Sequence, residues 1–215
     1  MPAYIEMCLE TWKVPFTVLN YRNLGEYTDF DVEGAKRFTL PQIADCVRVH
    51  VLRDNGGIWL DADTIMVTKA LPGTNMIGNP KERETSIGYL RTEAGSDMFK
   101  AWAQYQDDII ARRPAQHWAL MGNLFVDRYV REHPEITICS IRASCPETIM
   151  ITGDIPRHEK YRQFYFEKSF HLGDIPRTDM LMLHNSWTPD WYKMQSRATI
   201  KELDCTMSNV LREAL

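Results

Sequence analysis

Apolar residues stand at i, i+4 and i+7 over Pro2 to Lys13, at Ile5, Leu9 and Trp12, and Pro2 suits a first helical turn, so the chain is predicted to open on a helix. Thr17 to Asn20 reads as a short strand. A second helix is expected from Thr39-Leu40-Pro41, with Ile43, Val47 and Val51 on one stripe and Asn55-Gly56-Gly57 as its stop. Ile58-Trp59-Leu60 then reads as a strand running straight into Asp61-Ala62-Asp63, Thr64 to Val67 continues extended, and Pro72-Gly73 turns the chain. Ser86 to Leu90 is a further strand. Ser96 caps a predicted helix whose Phe99, Trp102, Ile109 and Ile110 face inward and which ends before Pro114. A helix over Trp118 to Arg131, stopped by His133-Pro134, precedes strands at Ile136 to Ile141, Phe164 to Phe166 and Met180 to Leu183. Thr199 to Leu215 places Leu203, Met207, Val210 and Leu211 on one face of a last helix.

Helices and strands interleave with no Ser/Gly-rich linker, which predicts a single α/β domain over residues 1–215. The pentapeptide Gly-Asp-Ile-Pro-Arg occurs twice, at Gly153 to Arg157 and Gly173 to Arg177, too few copies for a repeat array and read as two similar turns or coincidence. With 44% hydrophobic and 25% charged residues, the chain can build a core, and disorder, collagen and low complexity are excluded. A net charge of -4 gives no sequence-wide basic field for nucleic acid or anionic lipid. Cys8, Cys46, Cys139, Cys145 and Cys205 are odd in number and never in a Cys-x-x-Cys arrangement, which favours reduced thiols over a disulfide framework or a structural zinc site. No secretory signal opens the chain, and no apolar run approaches the roughly 20 residues that span a bilayer. A cytoplasmic protein is expected. Peripheral contact with the inner face of the plasma membrane through the C-terminal amphipathic stretch is the alternative to packing that stretch in the core, although it has no basic excess.

The most informative segment is Ala44 to Val67. A short strand delivers Asp61 and Asp63 to its C-terminal end, where α/β sheets bind ligands. If the strand stays extended, both carboxylates share a face and can point at one ion. Such hard oxygen donors suit Mg²⁺ or Mn²⁺ with a phosphate oxygen as co-ligand; the plainer reading is a polar strand end or turn. Asp45 and Arg48, three apart on the preceding helix, either contact a sugar hydroxyl and a phosphate or form a surface salt bridge. His184, Ser186 and Trp187 follow an apolar strand and offer a metal ligand, a phosphate donor and a lid over a nucleotide, or simply a capped turn with a partly buried Trp. For His50 and His117-Trp118 a structural role is the reading.

Together, Asp45-x-x-Arg48, the run Gly56-Gly57-Ile58-Trp59-Leu60-Asp61-Ala62-Asp63, and His184-x-Ser186-Trp187 resemble the family-32 glycosyltransferases. These are retaining, sugar-nucleotide-dependent enzymes of the GT-A fold, related to the sugar-transferring domains of large clostridial toxins, and bacterial members build capsular or other surface polysaccharides. The opening from Pro2 through Trp12 to Tyr21 is also similar, and the likeness is strongest from Gln42 to Val67. The resemblance implies one GT-A-like, Rossmann-like domain with a mostly parallel central sheet flanked by helices. It implies Asp61, Asp63 and Arg48 as the catalytic set: Asp63 binds Mn²⁺ or Mg²⁺ directly, and Asp61 holds the ribose, the sugar or a metal-bound water. Asp45 and Arg48 would contact the donor sugar, His184 would join the metal or diphosphate shell, and Ser186 and Trp187 would contact the phosphates. The implied donor is a nucleotide sugar, UDP-linked ahead of GDP-linked, and the acceptor a glycan or lipid-linked saccharide. Family members carry a first strand of the type Ile-Pro-Lys-Ile-Ile-His-x-x-Trp before the equivalent of Pro2. Here the sequence starts after that place, so either upstream residues are missing or another segment, or a subunit of an oligomer, completes the base pocket.

Two other classes compete. Asp61-Ala62-Asp63-Thr64 also matches the Asp-x-Asp-x-Thr signature of haloacid-dehalogenase-type phosphatases, with Asp61 as nucleophile, Asp63 as general acid and Asp107-Asp108 as a downstream acidic pair. A non-catalytic sugar-nucleotide-binding protein is the other.

Overall fold

The computed structural model describes residues 1–112 and 117–215. In chain order its regular elements are α1 (Ala3–Glu10), α2 (Leu40–Asn55), β1 (Gly57–Leu60), β2 (Thr64–Met66), β3 (Met76–Asn79), β4 (Glu84–Thr92), α3 (Asp97–Arg112), α4 (Asn123–Glu132), β5 (Ile138–Ser140), α5 (Glu147–Met150), α6 (Arg157–Arg162), β6 (Met180–Met182), α7 (Asp190–Lys193), α8 (Arg197–Glu202) and α9 (Thr206–Ala214). They gather into two compact units. A central unit holds Thr17–Leu60 and Thr74–Ser140, and a terminal unit holds Met1–Phe16, Asp61–Gly73 and Ile141–Leu215.

The central unit is built on a four-stranded sheet in the order β1-β4-β3-β5. β4 pairs antiparallel with both β1 and β3, and only β3 and β5 run parallel. The predicted mostly parallel sheet is therefore corrected to a mixed one. The link from β3 to β4 is too short for a crossover, which leaves only an antiparallel pairing open to them. α2 starts where the Gln42 side-chain oxygen accepts the Thr39 backbone N–H at 3.1 Å and the Thr39 hydroxyl at 3.0 Å. It stops at Gly56, whose φ of 64° suits a residue without Cβ. One core cluster sets Val49 and Leu52 of α2 and Leu90 of β4 against Phe99, Trp102, Phe125 and Val126 of α3 and α4. A second joins Phe30, Phe38, Ile43, Cys46 and Met121.

The terminal unit packs helices around a two-stranded antiparallel ribbon, β2-β6, with Ile65 opposite Leu181. α1 is stitched to β2 by polar bonds. The Thr11 hydroxyl donates to Cys8 O (2.6 Å) and accepts Met66 N–H (2.8 Å), and the Trp12 indole donates to Thr64 O (2.8 Å). Tyr4, Tyr161, Phe164, Tyr165, Tyr192, Met207 and Val210 are all fully buried in one aromatic-rich core.

Several local expectations change. Thr17 to Asn20 is not a strand, because the Asn20 and Asn23 side chains accept nearby backbone N–H groups at 2.9 and 2.8 Å and turn the chain. The helix expected from Trp118 starts at Asn123, and Trp118 is exposed. Phe164 to Phe166 belongs to a helical segment, Gln163–Glu167, that continues α6 and buries Tyr161, Phe164 and Tyr165 at i, i+3 and i+4. The last helix is two: Leu203 is extended between α8 and α9, and Arg212 Nη1 donates to the carbonyls of Lys201 (2.7 Å) and Leu203 (3.0 Å) at the break. The predicted stop before Pro114 falls outside the described residues. All five cysteines are free thiols. Among the described residues, no helix is long and apolar enough to cross a membrane.

Candidate functional site

β1 ends at Leu60, the last residue of the central unit there, and Asp61 is the first of the next terminal-unit segment. The chain does not stay extended. Ala62 and Asp63 form a turn before β2, so the strand alternation that would aim both carboxylates the same way is absent. Both acids are partly exposed.

Asp63 is instead aligned by the segment after β6. Its main-chain oxygen accepts Leu183 N–H at 3.1 Å and its Oδ2 accepts Asn185 N–H at 2.8 Å. His184 to Thr188 folds into a turn, with Trp187 and Thr188 N–H both donating to His184 O (2.9 and 3.0 Å). Two buried tyrosines secure that turn. Tyr4 donates to Asn185 Oδ1 at 2.5 Å, and the Tyr161 hydroxyl accepts His184 N–H at 3.3 Å while bonding Thr188 Oγ1 at 3.0 Å. Burial holds both phenols well above their usual range. Ser186 is exposed, and Trp187 lies 4.0 Å from the His184 ring.

His184 also meets a polar cluster in which an exposed arginine reaches buried Glu147 and Cys145. Arg157 Nη2 lies 3.2 Å from His184 Nε2, and because arginine can only donate, Nε2 is the acceptor and the neutral ring carries its proton on Nδ1. Burial, then the Arg157 charge, pushes the His184 pKa down to about 4. Glu147, fully buried, lies 3.5 Å from both Nε and Nη2 of Arg157. Burial raises the Glu147 carboxyl pKa and takes the Cys145 thiol up to about 12.

Asp45 and Arg48 belong to the central unit and are no surface pair. Nη2 of Arg48 stands 3.2 Å from Asp45 Oδ1, with the two side chains 8% and 13% exposed. Nη1 donates to Ile87 O at 2.5 Å, and the guanidinium stands 5.3 Å from the Trp59 ring. The pair thus ties α2 to β4 and β1.

The structure brings Asp63 to the His184–Trp187 turn within the terminal unit, and Asp45 to Arg48 within the central one. Tyr4, Asn185, Tyr161, Glu147 and Arg157 were missed from the sequence. Asn185 sits inside a motif already singled out, and Arg157 closes the first Gly-Asp-Ile-Pro-Arg copy.

A divalent ion of the Mg²⁺ or Mn²⁺ kind takes oxygen donors, a chemistry that Asp61 and Asp63 supply. His184 offers such an ion no lone pair while Arg157 donates to Nε2. Cys145, Glu147 and His184 form the one trio among the described residues whose potential ligand atoms all lie within 4.8 Å of one another. The Arg157 guanidinium beside Glu147 and His184 makes this an arginine-centred cluster, since a resident cation repels a second.

The fold defines an α/β protein whose mixed, helix-flanked sheet is compatible with a Rossmann-like arrangement. The chain belongs to the family described as capsular polysaccharide synthesis protein, whose profile matches residues 1–136. That membership ties it to capsular polysaccharide synthesis. The match includes Asp61 and Asp63 and ends before Glu147, Arg157 and the His184–Trp187 turn. No curated protein and no solved structure matches the chain.

Proposed function

We propose that this protein is a metal-dependent, retaining glycosyltransferase that moves a sugar from a nucleotide sugar, UDP-linked ahead of GDP-linked, to a glycan or lipid-linked acceptor during capsular or surface polysaccharide synthesis. The observation that carries the reading is the hydrogen bond from Asn185 N–H to Asp63 Oδ2, which fixes the Asp63 carboxylate against the main chain of the His184–Trp187 turn in a member of a capsule-building family. Family membership supports the biosynthetic setting, and the family-32 resemblance supports the donor class and the retaining outcome.

In this reading Asp61 and Asp63 hold Mn²⁺ or Mg²⁺, and His184 joins them only when Arg157 releases Nε2. The ion, when bound, supplies positive charge for the leaving diphosphate. Asn185 N–H keeps Asp63 oriented, Ser186 donates its exposed hydroxyl to a phosphate oxygen, and the Trp187 indole covers the nucleotide side. Breaking the anomeric C–O bond leaves its electron pair on the diphosphate, where preorganised donors act on the developing charge.

The test is release of nucleoside diphosphate from a panel of UDP- and GDP-sugars with an acceptor glycan present. Release that requires Mn²⁺ or Mg²⁺ and drops at least about 10²-fold in Asp63→Ala is the expected result. Release untouched by chelation or by Asp63→Ala overturns the reading, and p-nitrophenyl phosphate hydrolysis lost in Asp61→Asn replaces it with a phosphatase. The phosphatase reading has little support beyond its signature: Asp108 bonds Gln104 at 3.0 Å and Arg112 at 3.2 Å along α3, as a solvated helix face does.

A further inference from the structure

Arg157 is the last residue of the first Gly-Asp-Ile-Pro-Arg copy, and its guanidinium is held from three sides. Glu147 Oε1 lies 3.5 Å from Nε and Nη2, His184 Nε2 accepts from Nη2 at 3.2 Å, and the Trp187 ring centroid lies 5.6 Å from Cζ. The side chain is nevertheless 41% exposed, with the Cys145 thiol as a further neighbour.

We propose that Arg157 is an oxyanion ligand of the terminal unit, a preformed guanidinium fork that takes a diphosphate oxygen. The assignment of that diphosphate to a sugar-nucleotide donor rests on the function proposed above; the anion site itself does not.

Three features favour an anion here. The contacts to Glu147 are longer than the roughly 2.7–2.9 Å of a strong charge-assisted bond, so the carboxylate orients the fork without consuming it. Glu147 is fully buried and its Oε2 has no hydrogen-bond partner among the described residues, so it meets the guanidinium through Oε1 alone. Finally, a long side chain already held in place loses less freedom on binding.

The second pentapeptide copy is an internal control. Ile175 is buried as an anchor and Ile155 packs against the same core, but Arg177 is exposed and no carboxylate or imidazole among the described residues holds it. The same five residues therefore yield a clamped arginine once and a loose one once.

Calorimetry of the intact protein with inorganic pyrophosphate, in EDTA and at low salt, tests the proposal. Wild type is expected to bind, Arg157→Ala to weaken binding about 10- to 100-fold, the range for losing hydrogen bonds to a charged group, and Arg177→Ala to leave it unchanged. Arg157→Lys, which keeps the charge but not the planar fork, should fall between. Circular dichroism melts establish that each variant is folded, and Arg157→Gln stands in if the alanine variant is not. No binding by wild type, equal binding by a folded Arg157→Ala or Arg157→Gln protein, or an equal loss in Arg177→Ala overturns the proposal. Arg157-dependent pyrophosphate binding in a protein that turns over no sugar nucleotide keeps this site and sinks the transferase reading. Metal-dependent turnover with Arg157-independent pyrophosphate binding does the reverse.

Discussion

Acidification should destabilise this protein through His50, a residue with no part in the proposed chemistry. His50 is 2% exposed in α2, its ring 4.6 Å from that of Phe30. Neither ring nitrogen makes a hydrogen bond among the described residues, although Asp107 Oδ1 approaches Nε2 to 3.4 Å. Burial, reinforced by Arg53, pushes the His50 pKa down to about 4, whereas the unfolded chain titrates near 6.5. Between those values the unfolded state binds more protons, so stability falls as pH falls. The contribution is fully present above about pH 6.5 and exhausted near pH 4. At 1.36 kcal/mol per pH unit, the interval from about 6.5 down to about 4 is worth about 3 kcal/mol, of which about 2 kcal/mol is lost by pH 5. Asp107 works the other way, since burial raises its carboxyl pKa and its protonation in the folded protein adds stability as pH falls; it is present in both proteins compared below. Urea denaturation followed by tryptophan fluorescence, at pH 7 and pH 5, on wild type and His50→Leu isolates the effect. Wild type should lose about 2 kcal/mol more than the variant across that interval. Parallel losses in the two proteins would refute the claim that His50 is held neutral; His184 shares the sign of the effect and is present in both.

Three further outcomes follow from the structure. Gly56→Ala should cost about 3 kcal/mol or more in urea melts, because φ is 64° and the added Cβ would lie 2.4 Å from Ala94 N; Gly73→Ala, with nothing within 4 Å, should change stability by less than about 0.5 kcal/mol. Arg83 donates from Nε to Val130 O (3.0 Å), from Nη1 to Ile136 O (3.1 Å) and from Nη2 to His133 O (2.8 Å), so Arg83→Lys should cost about 1–3 kcal/mol by breaking a fork that closes the end of α4. A double-mutant cycle of Tyr4→Phe and Asn185→Ala should show coupling of about 1 kcal/mol in thermal melts, and additive losses would mean that their 2.5 Å bond contributes nothing.

Period and punctuation made α2, β1, β2 and β6 legible, because each pairs a strong apolar pattern with a Gly, Pro or Thr boundary. The aromatic run at Phe164 to Phe166 misled, since β-propensity describes how a side chain packs and here Tyr161, Phe164 and Tyr165 find a helical face instead. β3 has no alternation to announce it: Met76 and Ile77 are buried side by side, across a register shift against β4. In the candidate site, Asp63 and the His184–Trp187 segment both stood out from the sequence, and the structure joins them through Asn185 N–H and Asp63 Oδ2. Tyr4 and Tyr161 did not, because their role depends on a hydroxyl reaching across 181 positions in one case and 23 in the other. The burial of the Asp45–Arg48 pair also escaped the sequence, where an i, i+3 acid–base pair looks the same on a wet face as under a strand.

The terminal unit is discontinuous, drawn from three stretches of chain, and this shapes how it forms. Met1–Phe16 is made before the other two stretches, yet Tyr4, Met7 and Cys8 share one core with Tyr192, Met207 and Val210 from the last of them. Loop closure across most of the sequence must precede the reward of burying them, so this unit has high contact order and is expected to fold more slowly than one built from local contacts. Until then α1 has β2 to pack against, and the rest of its apolar face waits for the last stretch of the unit. Synthesis and maturation are thereby separated in time: Asp63 acquires its orienting partner, Asn185, only after the chain has been extended by a further 122 positions.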